Sequence, residues 1–195
     1  MISMLQCFLV AAVVQNIVLS TGMGVSSVLK IMKRPRTFFQ FSKLVLGFSV
    51  LLTMLFYPID RALPVTWPVL MVRPTIIVLL SVLLYLLSIL ILPRLFPNWY
   101  RRIRGILPLA ALNNLVVGVT LVINFQVSFT FWGALGLAAG SAVGFLLICA
   151  ITAEGFSRLD NPDIPAAFRG LPSTLLYLGL LALAIMGFNP VITLI

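Results

Sequence analysis

The sequence contains no histidine, four acidic residues and two cysteines among its 195 residues. Without histidine, imidazole catalysis and imidazole ligation of a metal are excluded. No glycine-rich phosphate loop precedes a Lys-Ser or Lys-Thr pair. The four acids are predicted in or near loops, which argues against a carboxylate proton relay inside a membrane. They are Asp60, Glu154, Asp160 and Asp163. We therefore expect no catalytic site confined to this chain.

Charge of either sign is also scarce. Charged residues make up 9% of the chain and hydrophobic residues 62%, whereas soluble domains carry roughly a quarter charged residues. Such a chain cannot cover itself with a water-compatible surface, which excludes a soluble enzyme, a secreted disulfide scaffold, a disordered tail and a coiled coil. Its apolar runs are continuous, unlike the alternating pattern of transmembrane strands. The composition predicts an all-α membrane protein, with residues 1–195 forming a single integral membrane domain.

Six apolar segments are each near the length of one bilayer crossing. They are residues 4–25, 43–59, 75–92, 103–125, 129–153 and 171–194. Lys43, at the start of the second and shortest segment, is expected to reach the interface with its charged end. The sequence thus predicts six transmembrane helices joined by short loops.

The basic residues predict the direction of these spans. Eleven of the thirteen fall in or beside the loops after spans one, three and five, and only Arg61 and Arg73 fall on the other side. Positive charge accumulates on the cytoplasmic side of inner-membrane proteins. We therefore expect a multi-pass protein of the cytoplasmic membrane with both termini outside the cytoplasm, and we attribute the net charge of +9 to orientation rather than to nucleic acid.

One short internal match, for which the alternative is chance similarity, predicts two halves of the chain, about 1–97 and 98–195. Residues 14–19 (VQNIVL) resemble residues 112–117 (LNNLVV), which pairs Asn16 with Asn114. Because each half holds three spans, the second half would enter the membrane in the opposite direction. This arrangement predicts two inverted three-helix repeats with a site at the midplane between them.

Amide side chains occur near the middle of spans one and four. They are Gln15, Asn16, Asn113 and Asn114. An amide in hydrocarbon requires polar partners, so these residues are expected to face one another, a broken backbone or a solvated cavity. Nearby helix breakers suggest that both spans are interrupted at the midplane; these are Gly22, Gly24, Pro108 and Gly118. The alternative is that the amides only join helices to one another.

Span five carries glycines four residues apart, at Gly136, Gly140 and Gly144. This spacing predicts a close-packing face for another helix, within the chain or in a partner.

Three stretches resemble the six-helix membrane subunits of the Rnf and Nqr ion-pumping electron-transport complexes, most closely the A-type subunit of Rnf and its E-type counterpart in Nqr. They are residues 163–170 (DIPAAFRG) with 184–188 (AIMGF), residues 105–109 (GILPL) with 113–118 (NNLVVG), and residues 14–19 (VQNIVL) with 24–26 (GVS). Six spans, inverted halves and outside termini also fit the A-type subunit.

The resemblance implies a role in passing electrons across the bilayer, coupled to movement of Na⁺ or H⁺. In that family an A-type and an E-type subunit of opposite orientation pair around a pseudo-two-fold axis. Each supplies two cysteines to one shared [2Fe–2S] cluster. The expected partners are therefore other membrane and redox subunits, especially a second six-span subunit.

The sequence departs from the family at the cluster. Ser26 and Asn114 occupy the positions of the two cysteines, and neither is a usual ligand of such a cluster. Cys7 and Cys149 lie elsewhere, and two thiols alone cannot build a four-ligand site. Either the cluster is lost or the partner subunit supplies other ligands to it. We favour loss, and we expect that this chain binds no cofactor or metal by itself.

These features support a leading hypothesis, a membrane subunit of an Rnf- or Nqr-like ion-translocating complex whose midplane amides line the junction with a partner. One alternative is a small inverted-repeat transporter that uses the same amides. Another is a purely structural assembly subunit.

Overall fold

A computed structural model of the chain describes residues 4–14, 16–31, 35–64, 67–125, 130–159 and 165–187. These residues form helices and no β-strand, as predicted. The α-helices are α1 (Met4–Leu9), α2 (Ile17–Thr21), α3 (Val25–Ile31), α4 (Pro35–Ala62), α5 (Trp67–Leu95), α6 (Pro97–Ile103), α7 (Leu107–Ala111), α8 (Asn114–Phe125), α9 (Phe131–Leu159) and α10 (Leu171–Met186). A π-helix, Val10–Val14, continues α1, and a 3₁₀ turn, Ala166–Phe168, precedes α10.

Three of the described helices are long and apolar enough to cross a bilayer on their own. They are Thr37–Ala62 of α4, Met71–Leu95 of α5 and Phe131–Phe156 of α9. Helices Pro97–Ile103 and Leu107–Ile123 would add a fourth span if this pair, bent by 77°, is one crossing. The three long helices coincide with predicted spans two, three and five.

Helices α4 and α5 extend beyond the predicted bounds of spans two and three at both ends. The second span does not begin at Lys43: α4 starts at Pro35, and Lys43 is an exposed residue within it. A proline at the first helical position loses no hydrogen bond, so it starts this helix rather than separating it from the next. Pro74 and Pro93 lie inside α5, which membrane helices tolerate when neighbouring groups bond to the freed carbonyls.

Helix α9 is the central helix of the described bundle. Two thirds of its apolar span (67%) is buried, compared with 17% for that of α5. Its neighbour α4 runs antiparallel to it, because Phe41 contacts Phe145 with ring centroids 5.7 Å apart and Tyr57 contacts Phe131 at 5.4 Å.

The glycines of α9 lie against α1 and the π-helix, where a side chain would collide with the opposite backbone. Gly136 faces the carbonyl of Met4, Gly140 that of Phe8 and Gly144 that of Ala12. Both sets of residue numbers rise together, so these two segments run parallel. The small residues allow the close backbone approach that membrane helices use for packing.

Candidate functional site

The first interruption of a helix lies at Asn16. The π-helix ends at Val14 and α2 starts at Ile17. The Asn16 Oδ1 accepts a hydrogen bond from the N–H of Val18 at 3.0 Å, and its Nδ2 donates to the Ala12 carbonyl at 3.2 Å. The side chain is buried, with 2% of the residue exposed. One amide therefore caps the new helix and satisfies a carbonyl of the helix that precedes it.

The second interruption lies between Ala111, where α7 ends, and Asn114, where α8 starts. The Asn113 Oδ1 accepts a hydrogen bond from the N–H of Leu115 at 3.0 Å. The Ala111 carbonyl, freed by the break, accepts a hydrogen bond from the Ser81 hydroxyl at 2.8 Å. The Nδ2 of Asn113 is buried and has no hydrogen-bond partner in the described part of the chain. The break is therefore polar, and one of its donors has no hydrogen-bond partner among the residues described.

Asn16 and Asn113 have the same local role. Each is buried, and each accepts a hydrogen bond from the N–H two residues later. The sequence match pairs Asn16 with Asn114, but Asn114 is the exposed first residue of α8 and does not make this bond. By geometry the counterpart of Asn16 is therefore Asn113. Gln15 lies outside the described residues.

A turn between α2 and α3 joins the two breaks. It uses Gly22 and Gly24 in the left-handed backbone conformation, with φ of 73° and 87°, which suits glycine because it has no Cβ. A Cβ on Gly24 would lie 3.3 Å from that of Leu115, and the Met23 side chain packs directly on Gly118. The turn thus rests on the first part of α8. Gly118, predicted near a break, instead lies inside that helix and provides room for Met23.

The two positions that the resemblance assigns to cluster cysteines flank this contact. Ser26 lies in the first turn of α3, two residues beyond Gly24, and Asn114 directly precedes Leu115. Both residues are exposed. Their side chains are therefore available to a neighbouring molecule rather than being enclosed by this chain.

The residues described do not fit an iron–sulfur cluster. A hydroxyl and an amide stand where thiolates are the expected ligands. Cys7 is buried in α1, next to Phe8, whose backbone lies against Gly140. Cys149 is buried nine residues beyond Gly140 in α9, about 13 Å farther along the helix axis. Among the residues that the structure describes, no group of three or more histidine, cysteine or acidic side chains could hold a metal.

Helix α4 carries polar atoms that sequence analysis did not single out. The hydroxyls of Ser42, Ser49 and Thr53 are buried and have no hydrogen-bond partner among the residues that the structure describes. Leaving such a group unpaired costs about 1–3 kcal/mol. By contrast, the equally buried hydroxyl of Ser141 donates to the carbonyl of Leu137 in its own helix at 2.8 Å. The signal in the sequence is the spacing, because residues 42, 49 and 53 share one helical face.

A buried ion pair closes one end of this face. Asp60, in the last turn of α4, lies 3.0 Å from Arg73 of α5, measured from Oδ1 to Nε. The two atoms are close enough for an ion pair but do not have the angles of a hydrogen bond. Arg73 is 6% exposed. Asp60, predicted in or near a loop, is instead part of the helix packing.

Comparison with known proteins agrees with the resemblance in the sequence. Residues 4–192 match the sequence profile of the Rnf-Nqr subunit family of membrane proteins. A relative from Acetobacterium woodii, named as the A subunit of a Na(+)-translocating ferredoxin:NAD(+) oxidoreductase complex, is 28% identical over 92% of this chain and 93% of its own length. One from Pectobacterium atrosepticum, named as the A subunit of an ion-translocating oxidoreductase complex, is 29% identical over 93% of this chain and 94% of its own.

A third relative, from Syntrophotalea carbinolica and with the same name as the Pectobacterium protein, is more similar over a shorter stretch. It is 44% identical over 92 residues, which is 47% of this chain and 47% of the relative. That match therefore spans about half the length of the relative. The family match, by contrast, includes both helix breaks and all the described helices. The chain belongs to the Rnf-Nqr family of membrane subunits.

Proposed function

We propose that this chain is an integral membrane subunit of an ion-translocating electron-transport complex of the Rnf or Nqr type. The observation that carries the proposal is the family match over residues 4–192, which includes the two asparagine-capped breaks. The names of the relatives support the same assignment. In this role the chain forms the membrane junction at which partner subunits dock, and we assign no redox group to it.

The proposed topology is six spans in two inverted halves, with both termini outside the cytoplasm. The matching roles of Asn16 and Asn113 support the two halves. The parallel contact of α1 with α9 supports the six-span topology, because in that topology spans one and five run in the same direction. Arg61 and Arg73 are the two basic residues on the side proposed to lie outside the cytoplasm. Because Arg73 is buried, only Arg61 is exposed there, which strengthens the excess of basic residues on the cytoplasmic side. An epitope tag at either terminus should be cleaved by protease added to intact spheroplasts.

The proposed partner is a second six-span subunit of opposite orientation, which covers the surface around Ser26 and Asn114. We further propose that no [2Fe–2S] cluster is bound by this chain, because neither exposed residue is a thiol and Cys7 and Cys149 are buried apart. A tagged chain purified from its native membrane should bring redox subunits and a second six-span protein with it. A homodimer that moves a solute without redox partners would instead favour the transporter alternative.

The cluster proposal has its own test. A Cys7→Ala/Cys149→Ala variant should co-purify with the same partners and with the same amount of iron and acid-labile sulfide as the unmodified chain. Loss of iron in this variant would show that one of the two thiols is a ligand. Iron content should also be unaffected by Ser26→Ala.

A further inference from the structure

The unpartnered hydroxyls of α4 lie on one face of the helix together with Asp60. At 3.6 residues per turn, positions 42, 49, 53 and 60 fall within about 20° of one direction. These positions span about 27 Å, from the rise of 1.5 Å per residue, which approaches the thickness of the hydrocarbon core. We call Ser42, Ser49, Thr53 and Asp60 the α4 polar track.

The track is enclosed by protein rather than by lipid. Helix α4 packs against α5, α7, α8 and α9, and Ser42, Ser49 and Thr53 are 5%, 0% and 1% exposed. Buried polar groups in membrane helices face the bundle interior and require partners, which are often water or an ion on a transport route. The buried hydroxyls of Ser81, Thr120 and Ser141 each bond to a carbonyl, and that of Thr152 in α9 is unpaired by itself. Three unpaired hydroxyls on one face of α4 therefore indicate a shared ligand.

One end of the track lies near the helix breaks. Phe41, next to Ser42, contacts Phe145. The ring of Phe145 in turn lies 3.4 Å from the position of a Cβ on Gly24, in the turn that rests on α8. The unpartnered Nδ2 of Asn113 lies at the start of that helix. The other end is the Asp60–Arg73 pair, so the track connects the broken helices with the far end of α4.

We propose that the α4 polar track is a hydrated path for a monovalent metal cation through this subunit. Its donors are hydroxyl and carboxylate oxygens, which suit hard cations. At the far end the cation and Arg73 compete for Asp60, and this exchange closes the path when Arg73 is bound. The force that drives the cation along the path rests on the proposed function, whereas binding of the cation to the α4 polar track does not.

Silver ion tests the path, because Ag⁺ is a small monovalent cation that reacts with thiols. Ser42→Cys, Ser49→Cys and Thr53→Cys are made singly in a Cys7→Ala/Cys149→Ala background and studied in the assembled complex in sealed vesicles. Val45→Cys and Leu52→Cys are the controls, since both residues are fully buried on the apolar faces of the same helix. Thiols that remain after Ag⁺ exposure are counted with a maleimide after denaturation.

We expect the track thiols to react about tenfold or more faster than the control thiols, which become accessible only when the helix opens locally. Replacing choline with Na⁺ at constant ionic strength should slow the reaction by a factor of 1 + [Na⁺]/Kd, about threefold at twice the Kd. Track thiols that react no faster than the controls would overturn the path. If the track thiols react rapidly with Ag⁺ and the rate is the same in Na⁺ as in choline, the assignment of the path to a metal cation is overturned.

Each variant is first checked for assembly of the complex. If only Ser49→Cys assembles, that variant is sufficient to test the path, because serine and cysteine are nearly the same size. The same vesicles are also assayed for bound redox subunits. Absence of those subunits would refute the proposed function and leave the accessibility result standing. Their presence with unreactive track thiols would refute only the path.

Discussion

The side-chain amide of Asn16 packs against Gly144, in space that a side chain at position 144 would occupy. A Cβ on Gly144 would be 2.7 Å from the Asn16 Nδ2 and 2.9 Å from the Ala12 carbonyl oxygen. These are the two atoms that form the hydrogen bond across the first break. The glycine spacing of α9 is therefore part of the break, in addition to being a packing face.

Gly144→Ala is expected to destabilise the protein by about 1–3 kcal/mol, the usual cost of overpacking a tight core. The matched control is Gly47→Ala in α4, where a Cβ would meet nothing within 4 Å; it should stabilise the helix by roughly 0.5–1 kcal/mol. Both are measured as the free energy of unfolding of the purified protein in detergent. Equal effects of the two substitutions would contradict the contact between Gly144 and Asn16.

The two capping asparagines should differ in their contribution to stability. Asn16→Ala removes the cap and the bond to Ala12, whereas Asn113→Ala removes a cap and an unpartnered donor. Loss of a cap costs about 0.5–2 kcal/mol, and the additional bond makes Asn16→Ala the more destabilising by about 1 kcal/mol. Asn114→Ala, at an exposed position, is the control and should change stability by less than about 0.5 kcal/mol. The idea fails if Asn113→Ala is the most destabilising of the three.

The sequence alone predicts both breaks because an amide within an apolar run requires polar partners, and an interrupted helix supplies them. It cannot choose between Asn113 and Asn114 as the counterpart of Asn16, since two adjacent asparagines fit the repeat almost equally well. The choice depends on which residue starts α8, and therefore on backbone hydrogen bonds. Family membership depends on several motifs at once, which is why the resemblance is confirmed although neither cysteine position holds a cysteine.

The contacts of α4 are harder to predict. Asp60 and Arg73 lie on either side of a proline-rich loop and resemble solvated loop charges in the sequence, yet α4 and α5 extend far enough to bury them together. Ser42, Ser49 and Thr53 are each unremarkable in an apolar helix. Their importance depends on the absence of a partner, which only the packed helices reveal.

Ser81 should stabilise the second break through the freed carbonyl of Ala111. Ser81→Ala leaves that buried carbonyl without its partner from α5 and is expected to cost about 1–3 kcal/mol. Ser88→Ala is the control, because the Ser88 hydroxyl donates to Leu84 in its own helix at 2.7 Å; this change should cost less than about 0.5 kcal/mol. Unfolding in detergent compares the two, and a cost for Ser88→Ala as large as that for Ser81→Ala would remove the argument.

The Asp60–Arg73 pair should show strong coupling in a double-mutant cycle. Asp60→Asn or Arg73→Met alone leaves one buried charge uncompensated, which is expected to cost about 3–5 kcal/mol. The double variant replaces both charges with neutral side chains and should recover most of that loss. Arg61→Met is the comparison, since Arg61 is exposed, lies over the Tyr57 ring at 5.1 Å from its centroid and attracts Asp60 less than Arg73 does. Its loss should cost less than about 1 kcal/mol, as expected for an exposed cation–π contact. If the double variant loses as much free energy of unfolding as the two single variants together, Asp60 and Arg73 are not coupled, and Arg73 does not compete for Asp60.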